Sequence, residues 1–64
     1  MKATLTIQMD NAAFGDTPEL ELGRIFRALA DYLFDPVLEG LAGIRLPVQD
    51  SNGNTVGSLT IEED

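Results

Sequence analysis

The chain contains no cysteine, no histidine and no tryptophan. Without cysteine neither a disulfide framework nor a thiolate metal site can hold the fold, so packing must do so. Without cysteine and histidine the common nucleophile–base pairs cannot be assembled, and the hydroxyls of Thr4, Thr6, Ser51, Ser58 and Thr60 have no imidazole to activate them. Positive charge is equally scarce: four Lys and Arg face eleven Asp and Glu, a formal charge of −7 over 64 residues. That balance excludes the basic footprint of a nucleic-acid or anionic-membrane binder and directs any charge-driven association to a basic partner. No apolar run approaches the roughly 18 residues of a membrane span, and no basic segment leads into an apolar one at the start. A cytoplasmic protein is expected. The six glycines are dispersed, with no G-x-x-x-x-G-K stretch to cradle phosphate. A chain of this length supports one domain, residues 1–64, of two layers at most, with little room for the desolvated cleft that would raise a carboxylate pKa. A non-enzymatic protein without cofactor is therefore expected.

What is present is a set of clear periodicities. Residues 2–9, KATLTIQM, alternate Ala3, Leu5, Ile7 and Met9 against Lys2, Thr4, Thr6 and Gln8, the signature of a half-buried strand. Asp10, Asn11 and Gly15 break the pattern into a loop from which Phe14 is expected to fold back onto the core. Thr17-Pro18 reads as a helix start, with the threonine hydroxyl accepting from an orphan amide and proline at the first helical position. Leu22, Ile25, Phe26, Leu29, Tyr32 and Leu33 then form one stripe at helical period, with Arg24, Arg27 and Asp31 opposite, predicting an amphipathic helix of roughly 16 residues. Glu21–Arg24 and Arg27–Asp31 have helix-neighbour spacing and read as solvated pairs. Pro36 ends this helix, and a short helical turn is expected near 36–41, where Val37, Leu38 and Leu41 would pack with Phe34.

Ile44, Leu46 and Val48 alternate in a second strand, Leu59 and Ile61 in a third. Val56 is out of phase with them unless an extra residue at Gly57, glycine being the usual occupant, forms a bulge. Pro47 lacks an amide donor and places the second strand at an edge. The predicted fold is α+β, a two-layer β-α-β-β unit. Its three-stranded antiparallel sheet has order 1-3-2, and one long helix covers the apolar face.

Between the last two strands, QDSNGNTVG spaces Asp50, Asn52 and Asn54 as a calcium loop begins. Such a loop needs glycine at its sixth position and glutamate at its twelfth, which here are Thr55 and Ile61. A hairpin fits better, with Asn52-Gly53 in a tight primed turn and Asp50 and Asn54 capping the strand ends. No metal is expected.

This topology sorts the acids by end. Asp10, Asp16, Glu19, Glu21 and Asp50 gather at the hairpin end with no Lys or Arg among them. Asp31, Asp35, Glu39, Glu62, Glu63 and Asp64 gather at the other, opposed by Lys2 and Arg45. Carboxylates near the helix N-terminus stabilise the fold, whereas Asp31 and Asp35 lie near its negative end. Charge kept where the fold disfavours it points to a partner. Asp31, Asp35, Glu39, Glu62, Glu63 and Asp64 are thus the candidate partner-binding residues.

The opening strand, the MDNAAF loop, the ELGRIFRALAD helix and the D-x-N-G-N-x-V-G hairpin together resemble a family of small acidic proteins carried by bacterial prophages and other mobile elements. In size and acidity the chain is also similar to anti-CRISPR proteins directed at type I systems, I-C among them. The resemblance implies a stoichiometric inhibitor in the host cytoplasm. It would act as an acidic DNA mimic on the basic DNA-binding surface of a CRISPR effector subunit, with no direct nucleic-acid or membrane contact, as a monomer or weak dimer. The alternative is a phage-encoded structural or regulatory protein that assembles through the edge of its first strand.

Overall fold

A computed structural model describes residues 1–35, 40 and 42–63. Strand β1 (Lys2–Ile7) leads through a 3-10 turn (Ala12–Phe14) to helix α1 (Pro18–Leu33), then β2 (Arg45–Gln49) and β3 (Thr55–Glu62). The sheet is antiparallel in order β1-β3-β2, the α+β arrangement the sequence predicts. The expected helical turn near 36–41 falls on residues 36–39 and 41, outside the described ones.

Alternation does build the sheet. Leu5, Leu46, Val48, Leu59 and Ile61 all turn toward the helix layer, where two apolar clusters meet. Phe14, Ile25, Val48 and Val56 form one; Leu46, Leu59 and Ile61 form the other, and Leu5 and Leu29 pack against both. Phe14 returns to the core as expected, by way of the 3-10 turn rather than an irregular loop. Asn11 starts that turn, its side-chain oxygen accepting from the Ala13 amide at 3.2 Å. Val56 reaches the core through a register shift between Val48 and Gln49: Val48 stands opposite Gly57 and Gln49 opposite Thr55, leaving Val56 as the additional residue. The bulge brings the strands close, and a Cβ on Gly57 would overlap the Thr6 carbonyl.

Several local expectations are corrected. Strand β1 stops at Ile7, although the Gln8 amide still donates to Val56 O at 2.7 Å. Met9, assigned to the inward face, is 39% exposed because the chain turns away before reaching the helix. The Thr17 hydroxyl makes no cap; its carbonyl accepts from the Leu20 and Glu21 amides instead. The apolar stripe of α1 is buried at Ile25 but not along its length: Phe26 is 50% and Tyr32 48% exposed. A three-stranded sheet is too narrow to cover a stripe this wide. Phe34 is 85% exposed, and Val37, Leu38 and Leu41, its expected neighbours, lie outside the described residues. Finally, the hairpin is not a two-residue primed turn, which needs positive φ at both central positions. Only Gly53 has positive φ there, at 86°. Asp50 N donates to Asn54 O at 2.9 Å and Gly53 N to Asp50 O at 3.1 Å. Together they close a three-residue loop that ends on a left-handed glycine.

Candidate functional site

At the hairpin end two carboxylates, Asp50 and Glu21, are built into the fold, while Asp10, Asp16 and Glu19 are exposed. Asp50 is 4% exposed. Its Oδ1 accepts from the Asn52 and Asn54 amides, each at 2.9 Å, and its Oδ2 from the side-chain amides of Asn11 and Asn54. Burial alone would raise its pKa, but the Asn54 amide, the Asn11 side chain and the other donors outweigh burial and hold it below the ordinary value of 3.8. The oxygens that opened the calcium question are thus occupied by N–H groups of the loop and of Asn11.

Glu21, expected at the solvated helix surface, is 7% exposed. Arg24 grips it with two bonds, Nε at 3.2 Å and Nη2 at 2.9 Å, and the Ser51 amide donates to it at 2.8 Å. The same Arg24 Nη2 reaches Gln49 O at 3.0 Å, so one guanidinium ties α1 to β2. The Arg24 bond, against the opposing effect of burial, holds the Glu21 carboxyl below its ordinary value of 4.5, and Glu21 in turn raises the Arg24 pKa. The expectation that no base joins this cluster is therefore corrected. Arg24 lies within it because one helical turn carries residue 24 over the hairpin. Carboxyls held ionised by filled acceptor sites are poor general acids, which need a raised pKa.

The other end differs. Asp31, Asp35, Glu62 and Glu63 are all exposed. Glu62 stands directly across from Lys2, and Arg45, opposite Thr60, is its diagonal neighbour on the polar sheet face. No Arg27–Asp31 ion pair forms within 4 Å among the described residues. The structure therefore places Asp31 and Asp35 on the last turns of α1 and Glu62 and Glu63 at the end of β3. Glu39 and Asp64 lie outside the described residues.

One further surface escaped the sequence reading. A groove of about 380 Å³ runs between α1 and β2, lined by Arg24, Ala28, Tyr32, Leu46 and Pro47 among others. The two sheet edges are also unlike. Ile61 N donates to Ile44 O at 2.9 Å, so Ile44, Leu46 and Val48 bond inward to β3 while Arg45, Pro47 and Gln49 face out. That outer edge is blocked: Pro47 has no donor and the Gln49 carbonyl is taken by Arg24. On the other side the Gln8–Val56 bond sets the phase, so Lys2, Thr4 and Thr6 bond inward and Ala3, Leu5 and Ile7 present amides and carbonyls outward. Pro47 was a legible signal for the first edge. The guard supplied by Arg24 was not, because it spans 25 residues.

The described architecture is that of a small two-layer α+β protein. Among its described residues no helix is long and apolar enough to cross a membrane. Comparison with protein-family models, curated proteins and solved structures returns no match.

Proposed function

We propose that this protein is a non-enzymatic inhibitor that binds, in the cytoplasm of a bacterial host, to a basic surface where a type I CRISPR effector receives its target DNA. The observation that carries this reading is the distribution of an excess of seven negative charges. At the hairpin end Glu21 and Asp50 are spent on internal hydrogen bonds. At the other end Asp31, Asp35, Glu62 and Glu63 are exposed. Exposed carboxylates on a small rigid body can stand in for phosphates, which in duplex DNA supply one charge per roughly 1.7 Å of axis. A single large partner with a basic groove would satisfy that charge without any chemistry on the inhibitor's part.

The test is a gel-shift assay of purified type I effectors with labelled target DNA, with and without this protein. Loss of the DNA complex, relieved by Asp31→Asn with Asp35→Asn, is expected. The relief should lie partly in the association rate and shrink as salt rises, because long-range attraction acts mainly on encounter. Unchanged DNA binding across the type I effectors overturns the proposal.

A further inference from the structure

The open edge of β1 is self-complementary, and we infer that two copies of this chain pair through it, antiparallel about a two-fold axis at Leu5, to make one six-stranded sheet. This goes beyond the inhibitor reading and does not depend on it. The backbone sets the register. Only Ala3, Leu5 and Ile7 present outward amides and carbonyls, and an axis at Leu5 places Ala3 opposite Ile7 of the second copy and Leu5 opposite its counterpart. Each of these three pairs exchanges two N–H···O bonds, so every outward group of the strand is used. β1 contains no proline and no bulge against β3, whereas the competing edge is closed by Pro47 and by the Arg24 bond to Gln49 O.

The side chains agree with this register. The pairing keeps both helices on one face and brings Thr4 opposite Thr6 on the polar face. Exposed apolar surface also flanks this edge from above. At about 100° per residue, Phe26 and Leu33 project from the side of α1 away from Arg24, Ala28 and Tyr32, which face β2. Both are exposed, and the two-fold axis would turn the Phe26 flanks of the two helices toward each other. A heterologous strand would gain the same backbone bonds but not the reciprocal Thr4–Thr6 pairs.

Because the chain has no cysteine, cross-linking reads the register cleanly. Thr4→Cys and Thr6→Cys proteins, distinguished by a tag, are mixed under mild oxidation. The mixed disulfide, joining position 4 of one variant to position 6 of the other, should dominate over either homodimer. Sedimentation should show wild-type dimer at high micromolar concentration, strengthened by salt as self-repulsion is screened. Ala3→Lys, which points a charge across the joined edges from an exposed position, should weaken dimerisation about tenfold or more while leaving the circular dichroism spectrum unchanged. Phe26→Ser should weaken it less. A wild-type monomer at these concentrations overturns the proposal, as does a dimer in which the disulfide between two Thr4→Cys copies dominates or Ala3→Lys has no effect.

Discussion

The two ends of the molecule carry carboxylates in similar number, but among the described residues only the hairpin end encloses two of its own, leaving Asp10, Asp16 and Glu19 exposed. At the hairpin end, Asp50 and Glu21 are enclosed by donors from the loop, the 3-10 turn and the helix. There charge is a structural material that locks β2, β3 and α1 together. At the far end Asp31, Glu62 and Glu63 face water. Formal charge counts all of these carboxylates alike, but Glu21 and Asp50 are closed to a partner while the exposed ones at both ends are not. Availability depends on where N–H groups converge, and that is a property of the folded chain.

The largest effect expected is at the bulge that shapes the hairpin end. Gly57→Ala forces a methyl group against the Thr6 carbonyl and should cost about 3 kcal/mol through backbone displacement, read as a lowered urea midpoint. Gly23→Ala, where nothing lies within 4 Å of the new Cβ, should instead stabilise by about 0.5–1 kcal/mol. Similar losses at both glycines would mean that the close approach of β1 and β3 is not what holds this end.

A smaller but more specific effect should follow from the locked carboxylates. Asp50→Asn turns an acceptor surrounded by donors into a partial donor, and Glu21→Gln loses the ion pair with Arg24. Each should lower the melting temperature more than any single neutralisation at Asp31, Glu62 or Glu63. Both folded-state pKa values are depressed below 3.8 and 4.5. Their contribution is therefore complete above those values, where folded and unfolded chains are both ionised. It is lost as pH falls through the lowered folded-state values, because the unfolded chain takes up protons first. The wild type should lose stability through this window, and the double variant Glu21→Gln with Asp50→Asn should show a flatter profile. An equally steep profile would assign the acid sensitivity to the exposed carboxylates.

The smallest effect on the fold should come from the far end. Asp31→Asn and Glu63→Gln should change stability by no more than about 0.5 kcal/mol, with Asp31→Asn on the favourable side because it removes negative charge near the helix C-terminus. Glu62→Gln should cost a few tenths of a kcal/mol through its cross-strand neighbour Lys2. Under the proposed function these silent positions are where effector binding should respond most. Loss of binding from Glu19→Gln as large as from Asp31→Asn would mean that total charge matters and position does not.

Much of the architecture was legible residue by residue. Period-two alternation in residues 2–7 and 44–48 defined strands, Thr17-Pro18 opened the helix, and Pro47 marked an edge. A bulge could be read from the phase of Val56 against Leu59 and Ile61, although the additional residue is Val56 and not the expected Gly57. These are signals between neighbours, carried by backbone geometry and by which face each side chain must take. The roles of Asn11, Glu21 and Arg24 were not legible. Asn11 meets Asp50 across 39 positions, and Glu21 meets Ser51 across 30. On a helical wheel Glu21 and Arg24 form an ordinary solvated pair, and only the hairpin arriving above them takes Glu21 out of water.

The sequence by itself determined the element order, the inward faces, the net charge and the absence of thiol and imidazole chemistry, because each depends on local periodicity or on composition alone. Tertiary structure decided which carboxylates are consumed and which remain exposed. It also decided which of two sheet edges is guarded and how much of the helix stripe the narrow sheet can bury. Those outcomes turn on donors and surfaces brought together from distant segments, and a buried carboxylate stays ionised only where enough of those donors arrive to replace the water it has lost.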